Sequence, residues 1–237
     1  MFDIVIPVGP KDQDIIQQQL EYTKKNVVGY RNIYLISSDN GLSIDQCITI
    51  SENIFPFSLE TVRLAHGELE RNGWYLQQLL KLYAGFVIPD ILDTYLVIDS
   101  DTYFLKPTSF LENGKCLYNF GYEYHQPYFQ HMQSLDEQFQ KKIDKSGICH
   151  HMIFQTKYIQ EIFQIVETKH NDEFYNVFLK MVTEKSGSGA SEYELYFNYV
   201  IAKHFEEIKI RPLHWMNTNK IIIDAGYDYL SLHYYMR

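Results

Sequence analysis

The stretch Phe2–Val8 (FDIVIPV) constrains the fold more than any other, because it is mostly apolar and its end is marked by Pro7, Gly9 and Pro10. A strand that is apolar on both faces must be covered on both faces, which is the condition of an inner strand in a parallel α/β sheet. The residues that follow keep that rhythm. The spacing predicts a helix over 12–27, with Ile15, Ile16, Leu20 and Thr23 along one side and Gly29 past its end. Strands are expected at 32–36 and 47–50, then helix over 58–86 with a break at Asn72-Gly73. In the second helical segment Leu76, Leu79, Leu80 and Tyr83 share one face, bordered by Gln77, Gln78 and Lys81. Further strands are predicted at 95–98, 115–120 and 150–155, and helices within 156–184 and over 191–204. Residues 221–223 and 229–233 read as strand-like pieces. Residues 121–146 read as a functional loop region containing a helix. Strands alternating with helices imply a mostly parallel sheet flanked by helices. No internal repeat appears, and 237 residues suit one core better than two.

Charge narrows the partners. Lys+Arg 21 against Asp+Glu 30 gives a net charge of -9, without the basic footprint that duplex nucleic acid requires. A small phosphorylated ligand remains compatible if a metal ion supplies local positive charge. Cys47, Cys116 and Cys149 are few and far apart, poor material for a disulfide framework and suited to a reducing compartment. The start of the chain lacks the pattern of a secretory signal, and no run of 18 apolar residues predicts a membrane span. These features predict a cytoplasmic protein, at most peripheral to a membrane.

The chemistry concentrates in YLVIDSDTYFLKP, residues 95 to 107. Asp99 and Asp101 stand at i and i+2, so they point the same way if the chain there is still extended. Past the C-terminal end of a buried strand they occupy the place where open parallel sheets bind ligands. Two such carboxylates repel unless a cation sits between them, and a divalent metal with phosphate oxygens completing its shell resolves the conflict.

This passage resembles the metal-binding core of nucleotide-sugar-dependent glycosyltransferases of the GT-A fold. The likeness is nearest to the small bacterial and large-virus branch, which includes a viral rhamnosyltransferase-like domain. The VIPV strand, the Gln/Lys-bearing helix, the SEYELY helix and a late histidine follow in the proper order. The resemblance implies an α/β, Rossmann-like GT-A domain over 1–237, with a nucleotide-binding half (1–105) and an acceptor-binding half (106–237). It implies that Pro7, Val8, Gly9 and Lys11 border the nucleotide, and that Ser38 and Asp39 contact base or ribose. Gln78, Lys81, Asp99 and Ser100 would also hold the donor. Mn²⁺ or Mg²⁺ would sit on Asp99 and Asp101, with His233 completing the shell and His214 as second choice.

Ser191 followed by Glu194 has the capping-box pattern, which occupies Glu194 with the backbone and leaves Glu192 the freer carboxylate. The resemblance makes Glu192 the base that deprotonates the acceptor hydroxyl, with Glu194 in reserve, and transfer inverting. Cys149-His150-His151 has no second pair at zinc-finger spacing, and adjacent strand positions face opposite ways. One of His150 and His151 is therefore expected to face the sugar or acceptor while the other packs. Trp215 and the loop GYEYHQPYF offer aromatic faces to a sugar. The Gly/Ser stretch 185–190 reads as a hinge that lets a loop close.

The expected activity is transfer of a sugar from a nucleoside-diphosphate donor, UDP-linked, to a hydroxyl of a glycan or glycolipid. Two rivals remain open on the sequence. VIDSDT resembles the haloacid-dehalogenase phosphatase motif, in which Asp99 would attack phosphorus, although Tyr103 stands where that family has Thr or Val. The other rival is a non-catalytic sugar or nucleotide binder on the same fold.

Overall fold

The computed structural model describes residues 1–223 and 226–233. Three strands, β1 (Phe2–Val8), β2 (Tyr30–Ser37) and β3 (Ile48–Ser51), lie parallel and side by side. β4 (Thr94–Ile98) joins β1 on its other side, also parallel, and turns into the short β5 (Thr102–Phe104). β6 (His151–Gln155) completes the five-stranded sheet antiparallel to β4. The sheet is thus mostly parallel and flanked by helices, as the strand–helix rhythm predicts. β1 is buried along its whole length, which explains its apolar composition. Its one charged residue, Asp3, accepts hydrogen bonds from Arg31 and from the backbone amides of Asn32 and Leu92.

The helix predicted over 12–27 begins later. Residues Pro10–Asp12 form a 3-10 turn, and α1 (Ile16–Asn26) buries Ile16, Gln19, Leu20 and Thr23. Gln19 is buried because its amide bonds Thr23 and the backbone of Thr102. The helical break also moves. α2 (Leu59–His66) stops at Gly67, whose φ of 83° suits glycine, and Asn72-Gly73 opens α3 (Asn72–Val87) instead of interrupting it. The Asn72 amide reaches back to the Gly67 carbonyl and fixes the angle between the two helices.

α4 (Gln126–Leu135) lies within the polar segment 121–146. α5 (Thr156–His170), α6 (Phe174–Lys180) and α7 (Glu192–Lys203) follow β6. α3 and α7 pack on each other, and one buried cluster extends in sequence from Phe2 to Tyr229. Among the described residues no helix is long and apolar enough to cross a membrane.

Two further short strands, β7 (Trp215–Asn217) and β8 (Tyr229–Ser231), form a second sheet with β5. The strand expected at 221–223 is absent, and 229–233 contributes only β8. β8 runs antiparallel to β5 with Ser231 opposite Thr102, and this register carries the following residues past the start of β5.

Gly147 shows how tightly the late helix is seated. A Cβ there would stand 2.5 Å from the Tyr193 carbonyl oxygen and 2.7 Å from the Cβ of Phe197. Gly147→Ala is expected to destabilise by about 1–3 kcal/mol through overpacking. A lower urea midpoint with an unchanged m value is the expected reading.

Candidate active site

The site forms where β4 ends. Asp99, Ser100 and Asp101 occupy a tight turn in which the Thr102 amide donates to the Asp99 carbonyl at 3.0 Å. The two carboxylates are therefore not aligned by an extended strand, as i and i+2 spacing had suggested. They line one cleft because the turn is tied at both ends. The Asp99 amide donates to the His150 carbonyl (2.9 Å), and the Leu232 amide donates to the Asp101 carbonyl (2.8 Å).

Asp99 belongs to a buried charge cluster. Lys81 Nζ lies 2.6 Å from Asp99 Oδ1 and 2.7 Å from Glu192 Oε1, with only 3% of its side chain exposed. Tyr193 donates its hydroxyl to Asp99 Oδ1 at 2.9 Å, and its ring lies beneath the Lys81 ammonium. His150 Nδ1 is 3.5 Å from Asp99 Oδ2. Three elements meet here: α3 supplies Lys81, the β4–β5 turn supplies Asp99, and the first turn of α7 supplies Glu192.

The electrostatics follow from that packing. Burial raises the carboxyl pKa of Asp99, but Lys81 and His150 outweigh it and hold the group well below the ordinary carboxylate range. Burial also dominates at Glu192, aided by the Asp99 charge and opposed by Lys81, and there it leaves the pKa raised. Burial lowers Lys81, but the two carboxylates overcome it and keep the ammonium protonated.

Asp101 has different company. Ser231 donates to its Oδ1 at 3.2 Å, and His233 Nδ1 lies 3.5 Å from its Oδ2. The β5–β8 register makes this pairing. Among the described residues no group of three His, Cys, Asp or Glu gathers to hold a metal. Asp101 and His233 would offer one carboxylate and one imidazole to a divalent cation, which would need phosphate oxygens and water to complete its shell. Asp99 fits that duty poorly, since Lys81, Tyr193 and His150 already surround its oxygens. The same engagement tells against Asp99 as a nucleophile on phosphorus.

The other expected residues divide. His150 lines the cleft with a φ of 61°, unusual for a non-glycine residue, and its ring stands 4.8 Å from that of His233 and 4.9 Å from Trp215. Its Nε2 is buried without a hydrogen-bond partner among the described residues. His151 is instead enclosed by Phe104, Phe110 and Tyr229, and burial pushes its imidazole down to about 3, so it packs and does not meet a ligand. Trp215 stacks on Tyr229 and lines a separate aromatic shelf with Phe120, Tyr122 and His214. His214 is exposed there, with its amide on Asp228, and the structure puts His233, not His214, beside Asp101.

Glu194 lies elsewhere. Ser191 caps α7 by accepting from the Glu194 amide, yet the Glu194 carboxylate does not return to the cap. It accepts from Ser146 and Asn198 inside the protein and fastens the 141–148 segment to the helix, so it does not serve the cleft. Gln78 is also turned from the expected ligand. Its Oε1 accepts the Glu192 amide at 3.0 Å and holds the helix start, while the neighbouring Gln77 lines the cleft.

Pro7, Val8, Gly9, Lys11, Ser38 and Asp39 stand at or beyond the C-terminal ends of β1 and β2 but do not line the cleft. Asp39 is exposed and caps its own turn through the Gly41 amide. Asp12 is the cleft residue from that region, and it accepts from the buried Ser100 hydroxyl at 2.7 Å. The Gly/Ser stretch expected to be a hinge is tied down. Tyr75 donates to Glu184 and Gly187 carbonyls and accepts the Gly189 amide, His125 bonds the Ser188 carbonyl, and Arg71 bonds Ser188. The cleft measures about 330 Å³ and is walled on this side by Arg71, Trp74 and Tyr128. Tyr128 belongs to the loop GYEYHQPYF expected to face a sugar, whereas the sequence alone does not single out Arg71 or Trp74.

No curated protein matches the chain. Among solved structures, the apo crystal structure of mouse xyloside xylosyltransferase 1 is similar with a TM-score of 0.48 and 9% sequence identity. The alignment covers 100% of this chain and 99% of that one. The pattern that defines the family of unknown function DUF6492 matches residues 33–225, and the chain belongs to that family.

Proposed function

We propose that this protein is a glycosyltransferase that moves a sugar from a nucleoside-diphosphate donor, UDP-linked, to a hydroxyl of a glycan or glycolipid. One observation carries the reading. Asp101 with His233, and Glu192 with Lys81, line a single cleft at the C-terminal edge of a parallel sheet.

Asp101 and His233 are the residues that would hold Mn²⁺ or Mg²⁺. The cation would neutralise charge on the departing diphosphate. Glu192 takes the proton from the acceptor hydroxyl as it attacks the anomeric carbon, and transfer inverts the centre. Its raised pKa improves it as a base relative to an exposed glutamate. Lys81 keeps Glu192 and Asp99 apart electrically and fixes both in place. His150, which lines the cleft beside Asp99, is the histidine that meets the sugar or acceptor.

The reading predicts metal-dependent nucleotide binding. A panel of nucleoside diphosphates, with and without Mn²⁺ or Mg²⁺, should raise the unfolding temperature for one base only when metal is present. At about 100 times Kd the expected rise is about 5–10 °C. Asp101→Ala should abolish it. A shift independent of metal and unaffected by Asp101→Ala overturns the metal assignment. No shift with any nucleotide, under conditions where the protein is folded, overturns the donor class.

A further inference from the structure

Arg71 is a cleft cation with unspent charge. Lys81 is matched by two carboxylates, whereas no carboxylate lies within ion-pairing distance of Arg71 among the described residues. Its partners are neutral. Nη2 donates to Ser188 Oγ at 2.6 Å, Nε to the Gly187 carbonyl at 3.4 Å, and the guanidinium lies 4.4 Å over the ring of Trp74. These contacts orient the group without neutralising it.

Trp74 and Tyr128 extend the wall, with rings stacked 6.4 Å apart at 29°. The Tyr128 hydroxyl is pushed up by burial first and by Glu123 and Glu192, and is drawn back by Ser188 and Arg71. Tyr128 therefore stands within the fields of Arg71 and Glu192 together. Ser188, which Arg71 holds, precedes by three residues the Ser191 that caps the helix bearing Glu192. The starts of α3 and α7 present Arg71 and Glu192, while Asp101 and His233 are presented by the β4–β5 turn and by the residues after β8.

A planar guanidinium recognises carboxylate and phosphate groups through paired hydrogen bonds. Trp74, half-buried beside Arg71 and backed by the buried Tyr128, offers apolar surface to a sugar ring. We infer that the Arg71–Trp74–Tyr128 wall is a binding subsite for an anionic saccharide, one bearing a carboxylate or a phosphate, and that this saccharide is the acceptor presented to Glu192. The word acceptor rests on the glycosyltransferase reading; the preference for an anionic sugar does not. Glu123, an exposed carboxylate on the same cleft, confines the anionic group to the neighbourhood of Arg71.

The test is a binding titration of the full chain by ligand-observed NMR with three probes: a methyl hexuronide, a hexose 6-phosphate and a neutral methyl hexoside. At least one anionic probe should bind about tenfold or more tightly than the neutral one, as expected of a charge-assisted hydrogen bond. The ranking of the two anionic probes separates carboxylate from phosphate. Arg71→Gln should reduce the anionic preference to about one, whereas Arg71→Lys, which keeps the charge, should retain part of it. Unfolding midpoints of both variants show whether the fold survives. Equal binding of charged and neutral probes by the native protein overturns the inference, as does an intact preference in Arg71→Gln. Loss of nucleoside-diphosphate binding in Arg71→Gln with the saccharide preference unchanged assigns Arg71 to the donor and also overturns it. If no nucleotide binds but the anionic preference exists and depends on Arg71, the subsite stands and the glycosyltransferase reading falls.

Discussion

Lys81→Met is expected to lower stability by about 3–5 kcal/mol, the usual cost of removing one partner from a buried ion cluster. The native ammonium is almost fully buried between Asp99 and Glu192. Without it, two carboxylates face each other in a poorly solvated place, and each can relieve the conflict only by taking a proton. In the native protein the two carboxylates pull in opposite directions, Asp99 stabilising as pH rises and Glu192 the reverse, whereas in the variant both pull the same way. In the native protein Asp99 has a depressed pKa, so its contribution is present above the ordinary carboxylate range and fades as pH falls through the depressed value. In Lys81→Met both carboxylates have raised values, so the variant is most stable in acid and loses stability as pH rises through them. The stability gap should widen between about pH 4 and about pH 8. Urea unfolding across that range reads it directly. A gap that stays constant with pH would mean that Lys81 contributes packing alone. The double variant Lys81→Met with Glu192→Gln should regain part of the loss, because only one buried carboxylate then remains.

That cluster also shows where sequence reading succeeds and where it stops. The sheet was legible because β1 and β4 are short, apolar and punctuated, and such runs have few alternatives. Asp99 and Asp101 were legible for the same reason, since they directly follow one of those strands. The join of Lys81 to Glu192 was not, because the partners are 111 residues apart and meet only through the packing of α3 on α7. Sequence order makes both residues candidates without making them neighbours. The short strands β5 and β7 were missed because each exists only through pairing with β8, and three residues carry no periodicity of their own. Gln78 and Gln77 exchanged places because a border position on a helical wheel differs from a buried one by less than the wheel resolves. Arg71 is not singled out because the break expected at Asn72-Gly73 puts the start of the second helix after it. Its i, i+3 relation to Trp74 was in the sequence, and an earlier start would have put the two on one face. Gly67 was the signal for that start, and Asn72-Gly73 has the composition of a turn but is held helical by the bond from Asn72 to the Gly67 carbonyl.

Glu192→Gln is expected to abolish most transfer while sparing the fold, and the two halves of that expectation have one cause. The amide keeps the shape of the side chain and an oxygen for Lys81, but it cannot accept a proton from a hydroxyl. Loss of a general base lowers the rate by about 10²–10⁴. Stability should stay level or rise. Glu192 has its pKa raised by burial and by Asp99, so in the native protein its ionised form destabilises the fold as pH climbs through that value. The neutral amide escapes this penalty and leaves Lys81 matched to Asp99 alone. A carboxylate retained at a cost to stability is the behaviour of a group kept for its chemistry. The native pH profile should carry the same signature. Glu192 works ionised, so kcat/KM should fall as pH drops through the raised pKa, placing the acid limb above the ordinary glutamate value of about 4.3. In Glu192→Gln that limb should vanish along with most of the rate. Full transfer in the variant, or an acid limb unchanged by it, would remove Glu192 from the role of base and leave it as the counter-charge that holds Lys81 against Asp99.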